Sequence, residues 1–145
     1  MNIAVISDYK GFNGLKAEWQ DLLSRSGADN IFLTYEWTDS CIRHFYSGEK
    51  LLILTVFDGQ KLIGIAPLAI KKDRYLGMAL RKLCFIGTSI SDRMDFLLDG
   101  DRDRIITLIF DYLMSMDKEW DVIDLEEISE AAGNISATKG YLSKR

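Results

Sequence analysis

Four polar groupings in this sequence have types and spacings that could do chemistry. Gly87-Thr88-Ser89-Ile90-Ser91 approaches the G-x-S-x-G elbow, which lifts a serine nucleophile out of a strand-to-helix turn, but Ser91 stands where the final glycine belongs. A histidine would have to follow that serine. The one histidine, His44, precedes it inside a helical pattern, so a Ser-His-Asp hydrolase is not supported. Asp99-Gly100-Asp101-Arg102-Asp103 begins like a calcium loop, yet Arg104 takes its glycine position and Phe110 its bidentate glutamate position. These acids read as helix-start residues, where negative charge meets the positive end of the helix dipole. One histidine and two separated cysteines, Cys41 and Cys84, do not make a zinc site. Both thiols read as reduced and buried small hydrophobes.

Ser91, Asp92 and Asp95 form the remaining group. They leave a loop rich in Gly, Thr and Ser and enter an apolar stretch. Such side chains could line a cleft and hold a polar acceptor such as a sugar hydroxyl. The competing account is a loop whose Asp and Ser side chains hydrogen-bond nearby backbone. Trp19, Tyr35, Trp37 and Trp120 could likewise form a carbohydrate platform, but Trp19 and Trp37 fall on apolar helix faces, which points to core packing.

The elements that must position these residues follow from periodicity. Residues 3–6 read as a short strand. Phe12, Leu15, Trp19 and Leu22 recur at steps of three and four, one helical face that ends at Ser26-Gly27. Thr34 is a suitable N-cap for a helix with a Trp37, Cys41, Ile42, Phe45 stripe, closed by Ser47-Gly48. Residues 51–57 and 62–70 read as paired strands around an Asp58-Gly59 turn. Pro67 lacks a ladder donor, so its strand is expected at a sheet edge or with a bulge. A turn around Gly77, strands at 80–86 and 94–98, a helix at 101–116, a strand at 122–125 and a helix at 134–142 complete the order. The pattern predicts a mixed α/β (α+β) domain with helices on the faces of one sheet.

The chain has 145 residues, 48% of them hydrophobic and 28% charged, which suits one domain with a sizeable core. Its net charge of -4 argues against nucleic acid, because phosphate neutralisation needs a basic face. No apolar run approaches the ~20 residues of a membrane span. The start, Met1 to Asp8, lacks the basic and apolar regions of a signal peptide, so the cytoplasm is the expected compartment.

Three stretches carry a family resemblance. The first is Leu15, Trp19 and Leu22 followed by Ile31-Phe32-Leu33-Thr34-Tyr35-Glu36-Trp37. The second is Leu62-Ile63-Gly64-Ile65-Ala66-Pro67-Leu68. The third is Leu83 to Asp92, then Trp120-Asp121-Val122-Ile123-Asp124-Leu125. Together they resemble the N-terminal half of the CelD-type acetyltransferases linked to bacterial cellulose biosynthesis, whose tandem GNAT-like fold is similar to that of the FemAB aminoacyltransferases.

The resemblance implies a GNAT-like acyl-CoA N-acyltransferase fold, with an antiparallel central sheet and helices on both faces. It also implies that residues 1–145 are the first unit of a longer two-domain chain, truncated after the 134–142 helix. The acyl-CoA donor, acetyl-CoA or another, would belong mainly to the missing C-terminal GNAT-like half. This half would supply scaffold and one wall of a cleft for a polar or saccharide acceptor, lined by Ser91, Asp92 and Asp95 in the family's Ser-Asp segment. Asp124, Glu126, Glu127 and Glu130 would lie where such a fold can place a general base, or form a solvated acidic loop.

A second possibility is a self-sufficient small acetyltransferase. Arg74, Gly77 and Ala79 match the family's R-x-x-G-x-G/A pyrophosphate loop, which requires a helix directly after it. Against cofactor binding at the alternative place, before the 101–116 helix, stand Asp99, Asp101 and Asp103, which would repel pyrophosphate. A third possibility is a non-catalytic interaction module with an exposed apolar patch.

Overall fold

Residues 51–57 and 62–70 are apolar at nearly every position, and they form the buried stretches of a central hairpin. The computed structural model of the chain describes residues 1–131 and 133–144. Arg145 lies outside that set. Strand β1 (Asn2–Ile6) leads into helices α1 (Tyr9–Gly14), α2 (Lys16–Ser26) and α3 (Tyr35–Phe45). Strands β2 (Lys50–Asp58), β3 (Lys61–Tyr75), β4 (Met78–Phe85) and β5 (Leu97–Leu98) follow. Helix α4 (Arg102–Ser115), strand β6 (Val122–Ile123) and helix α5 (Gly133–Leu142) complete the fold. The sheet order is β1-β2-β3-β4-β6, with β5 also pairing β3. Every pairing is antiparallel except β4 with β6, so this is a mixed α+β fold with a mostly antiparallel open sheet.

Alternation along the strands divides the core, because successive strand side chains point to opposite faces. Leu52, Leu54, Val56, Leu68 and Phe85 pack beneath α4 and α5. Leu51, Ile53, Ile65 and Ala69 pack beneath α1, α2 and α3, so helices cover both faces as expected. On the second face Tyr35 stacks on Phe12 at 4.6 Å and Trp19 meets Phe12 edge-on at 5.7 Å. Trp19 donates Nε1–H to the Leu33 carbonyl at 2.9 Å, satisfying its one donor inside the core. No helix among the described residues is long and apolar enough to cross a membrane.

Several local expectations change. The 12–22 face is carried by two helices that break at Leu15, which caps both, and Gly11 and Gly14 lower the helical preference there. Phe45 is 59% exposed, and the buried face of α3 uses Tyr35 and Thr38 instead. The β2–β3 loop residues are Gly59 and Gln60, not Asp58 and Gly59, and only Gly59 takes positive φ. The strand expected at 94–98 is regular only at Leu97–Leu98, and that at 122–125 only at Val122–Ile123.

The strand that holds Pro67 carries a bulge, one of the two arrangements expected of it, but it does not lie at a sheet edge. Pro67 sits in a central strand, opposite Ile53 of β2, and the extra residue of the β3 bulge is Ile63. On the other side of β3, Ile86 donates its N–H to the Pro67 carbonyl at 2.8 Å. A regular antiparallel pair would return a second bond, and proline has no N–H to give. The partner strand leaves the sheet at this point. It pairs Phe85 with Leu68, then rejoins β3 with Leu97 opposite Ile65. Three steps along β3 thus span twelve along its neighbour, so the segment between is looped out, nine residues in excess of a regular ladder.

Gly64 lies where α4 crosses the sheet. A Cβ there would stand 2.9 Å from Ile105 Cγ2 and 3.3 Å from Leu98 Cδ2. Gly64→Val is expected to destabilise the fold by about 1–3 kcal/mol in urea unfolding, the usual cost of overpacking a core. An unchanged midpoint would mean that α4 is not held against β3 at this residue.

Candidate functional site

The looped-out segment after Phe85 is pinned at its start by a buried polar node. Trp37 donates Nε1–H to Ser91 Oγ at 2.9 Å, and Gly87 donates its N–H to the Tyr46 hydroxyl at 3.1 Å. Gly87 has φ +94, and a Cβ there would lie 2.9 Å from Ser91 Oγ and 3.2 Å from Cys41 Sγ, so glycine is needed for both conformation and space. Thr88 donates Oγ1–H back to the Phe85 carbonyl at 2.8 Å. Ser91 is thus buried with its hydroxyl engaged by a tryptophan, whereas Asp92 is exposed. Burial raises the pKa of both free thiols, Cys41 and Cys84, which keeps them protonated and unreactive.

At its other end the segment carries Asp95 into a different environment. Met94 donates its N–H to the Glu127 carbonyl at 3.0 Å, drawing the chain beside the loop that leads to α5. Asp95 is 8% exposed and accepts the Phe96 N–H at 2.8 Å. Asn134, in the first turn of α5, donates Nδ2–H to the Phe96 carbonyl at 3.0 Å. Its Oδ1 is buried with no hydrogen-bond partner. Asp95, Arg102 and Asn134 line a cavity of about 200 Å³, closed by Gly27, Ala28 and Leu33.

Burial raises the Asp95 pKa, with Asn134, the Phe96 N–H and Arg102 pulling it back down. A carboxyl biased toward its neutral form, an amide and a guanidinium around so small a space suit a hydroxyl or amide group. Neither Ser91 nor Asp92 lines this cavity, so the expected trio is divided.

The N-terminus of α4 is already occupied by the chain's own acids. Asp101 accepts the Arg104 N–H at 3.2 Å, the amide an anionic ligand would otherwise use. Asp99 is clasped by Arg25 and by Lys61, the latter at 3.0 Å, and its pKa is lowered, with the Lys61 hydrogen bond as the largest cause. Asp101 and Asp103 also edge a cleft of about 770 Å³ between α4 and α5.

Arg74, Gly77 and Ala79 lie at the tip of the β3–β4 hairpin, where Tyr75 faces Met78 across the two-residue loop Leu76-Gly77. A strand follows this loop, not the helix a pyrophosphate cradle requires. Among the acids after β6, Asp124 is 3.4 Å from Lys82, while Glu126, Glu127 and Glu130 are exposed to solvent. Trp19 is core, which excludes it from a sugar platform, and Trp120 donates Nε1–H to the Leu113 carbonyl at 3.0 Å. No group of His, Cys, Asp and Glu among the described residues could hold a metal ion.

Arg102 and Asn134 were not legible as partners of Asp95. In sequence both read as helix-start residues, and only packing brings them to one cavity. No protein-family model matches this chain, and no curated protein or solved structure matches it.

Two substitutions separate structural from functional roles here. Ser91→Ala leaves the Trp37 indole N–H without its partner and is expected to cost about 1–2 kcal/mol in chemical denaturation. No loss would release Ser91 from this structural role. For Asp95, the native carboxyl keeps its proton to higher pH than the 3.8 of an unperturbed aspartate. The native state then binds more protons than the unfolded one, so stability falls as pH rises through that window. Asp95→Asn is therefore expected to raise the melting temperature at pH 7, with the gain vanishing as pH approaches 3.8. A gain independent of pH would refute burial of the charge as its cause.

Proposed function

We propose that this chain is the scaffold and acceptor-cleft half of an acyltransferase that moves an acyl group from acetyl-CoA or another acyl-CoA to an amine or hydroxyl. The resemblance to CelD-type proteins assigns the reaction to cell-envelope or exopolysaccharide synthesis. The observation that carries the reading is the single parallel pairing. β4 pairs with β6 through the α4 crossover, while β1 to β4 are antiparallel. This arrangement supports the GNAT-like fold that the resemblance implies.

In the proposed reaction the acceptor nitrogen or oxygen attacks the thioester carbonyl, the C–S bond breaks, and the departing sulfur takes up a proton equivalent to the one the acceptor loses, so that coenzyme A leaves as its thiol. The acceptor's proton passes to a base in the second half. The Asp95 cavity can hold a hydroxyl or amide of the acceptor, which agrees with a substrate-binding role. Donor binding is assigned to the second half because Asp101 caps α4 and because the Arg74–Ala79 loop closes a hairpin.

Calorimetric titration with acetyl-CoA tests this division. The chain alone is expected to give no saturable heat up to about 1 mM ligand, corresponding to less than ~4 kcal/mol of binding free energy. A chain that joins these residues to the proposed second half is expected to bind. Saturable binding to this chain, abolished by Gly77→Asp, would overturn the proposal in favour of a self-sufficient enzyme.

A further inference from the structure

The β3–β4 hairpin projects three apolar side chains into solvent. Tyr75 is 64% exposed, Leu76 84% and Met78 67%. Leu76 is opposed by local physics on two counts. It is a large apolar residue in water, and at φ +48 it adopts a left-handed conformation that favours Gly, Asn or Asp. A residue kept in such a place points to a contact the isolated chain does not make. Beside this tip, Lys72 and Arg74 have no carboxylate partner within 4 Å among the described residues.

A complementary surface lies on the same molecule. Met114, Trp120, Ile123, Leu125, Ile128 and Leu142 line an apolar groove of about 600 Å³ between α4, α5 and the edge strand β6. Asp121 and Glu127 stand on its rim. Residues 117–130 hold seven carboxylates and one lysine. Asp121, Asp124 and Glu119 are paired with Arg81, Lys82 and Lys50, which leaves Asp117, Glu126, Glu127 and Glu130 without a salt bridge among the described residues, with Glu127 on the groove rim and Glu126 and Glu130 close to it in the chain. The groove is thus apolar with an acidic rim, and the hairpin tip is apolar with basic flanks.

We propose that the β3–β4 hairpin of one copy docks in the apolar groove of a second copy, and reciprocally, to form a two-fold dimer. Tyr75, Leu76 and Met78 cover the groove wall, while Lys72 and Arg74 face Glu126, Glu127 and Glu130. The hairpin of each copy cannot fill its own groove in the conformation seen, because its tip is exposed. Arg81 ties the base of the hairpin to Asp121 on the groove rim, through Nη2 to Oδ1 at 2.8 Å. Donor and acceptor surfaces therefore lie side by side, as a two-fold axis requires if both contacts are to form at once. The contact goes beyond the acyltransferase reading and does not depend on it.

Sedimentation equilibrium across about 1–300 µM chain, at low and high salt, tests this. A concentration-dependent doubling of the 16.5 kDa mass is expected, weakened by salt. Leu76→Asn suits the positive φ and removes the apolar tip. It is expected to weaken the dimer by about tenfold or more without lowering the melting temperature. Arg74→Glu and Glu127→Lys should each weaken it, and the two together in one chain should restore it. A monomer throughout this range, a dimer undiminished by Leu76→Asn, or failure of the charge swap would each overturn the proposal. So would a monomer that binds anionic phospholipid vesicles through the tip, with binding lost in Leu76→Asn, because that result assigns the hairpin to a lipid surface.

Discussion

Pro67 has no N–H, and it occupies a strand with neighbours on both sides. The β2 side tolerates this, because the donor would point the other way. On the β4 side the ladder receives one bond from Ile86 and cannot return the second. The neighbouring strand departs after Phe85 and comes back as β5 at Leu97, with eleven residues between them. Much of the molecule beyond that point follows from this interruption. It creates the segment that carries Ser91, Asp92 and Asp95, and it sets the place where the chain enters α4.

The interruption is held open by contacts of different kinds at its two ends. Near Ser91 the polar groups are paired, Trp37 with the Ser91 hydroxyl and Gly87 with the Tyr46 hydroxyl, and Gly87 has no room for a Cβ. Near Asp95 it is open to a small cavity and leaves the Asn134 oxygen without a partner. Buried polar groups are normally paired, so an orphan acceptor beside a carboxyl whose pKa burial has raised marks the less settled end. The proposed acceptor site rests on this contrast more than on the amino-acid types, which are similar at both ends.

The charge distribution follows a comparable logic. The net charge of -4 describes no particular surface. Basic residues collect on the β3–β4 hairpin and acidic ones after α4, and the Arg81–Asp121 pair joins the two regions. An exposed pair of this kind adds little stability, since solvent screens it. Its consequence is geometric, because it sets an apolar tip with cations beside an apolar groove with anions.

Local chemistry alone determined helices α3, α4 and α5, the caps at Thr34 and Gly27, the two-faced apolar pattern of β2 and β3, and the burial of both cysteines and Trp19. Those features depend on periodicity and on residues a few positions apart, which a sequence displays directly. Periodicity could not tell that Pro67 lies in a central strand, because the strand beside it is distant in the chain and its departure is what accommodates the proline. Nor could it separate Ser91 from Asp95, four residues away, since one meets Trp37 and the other Arg102 and Asn134. Tertiary packing decided these points, because the fate of a buried polar group depends on which distant donors and acceptors reach it.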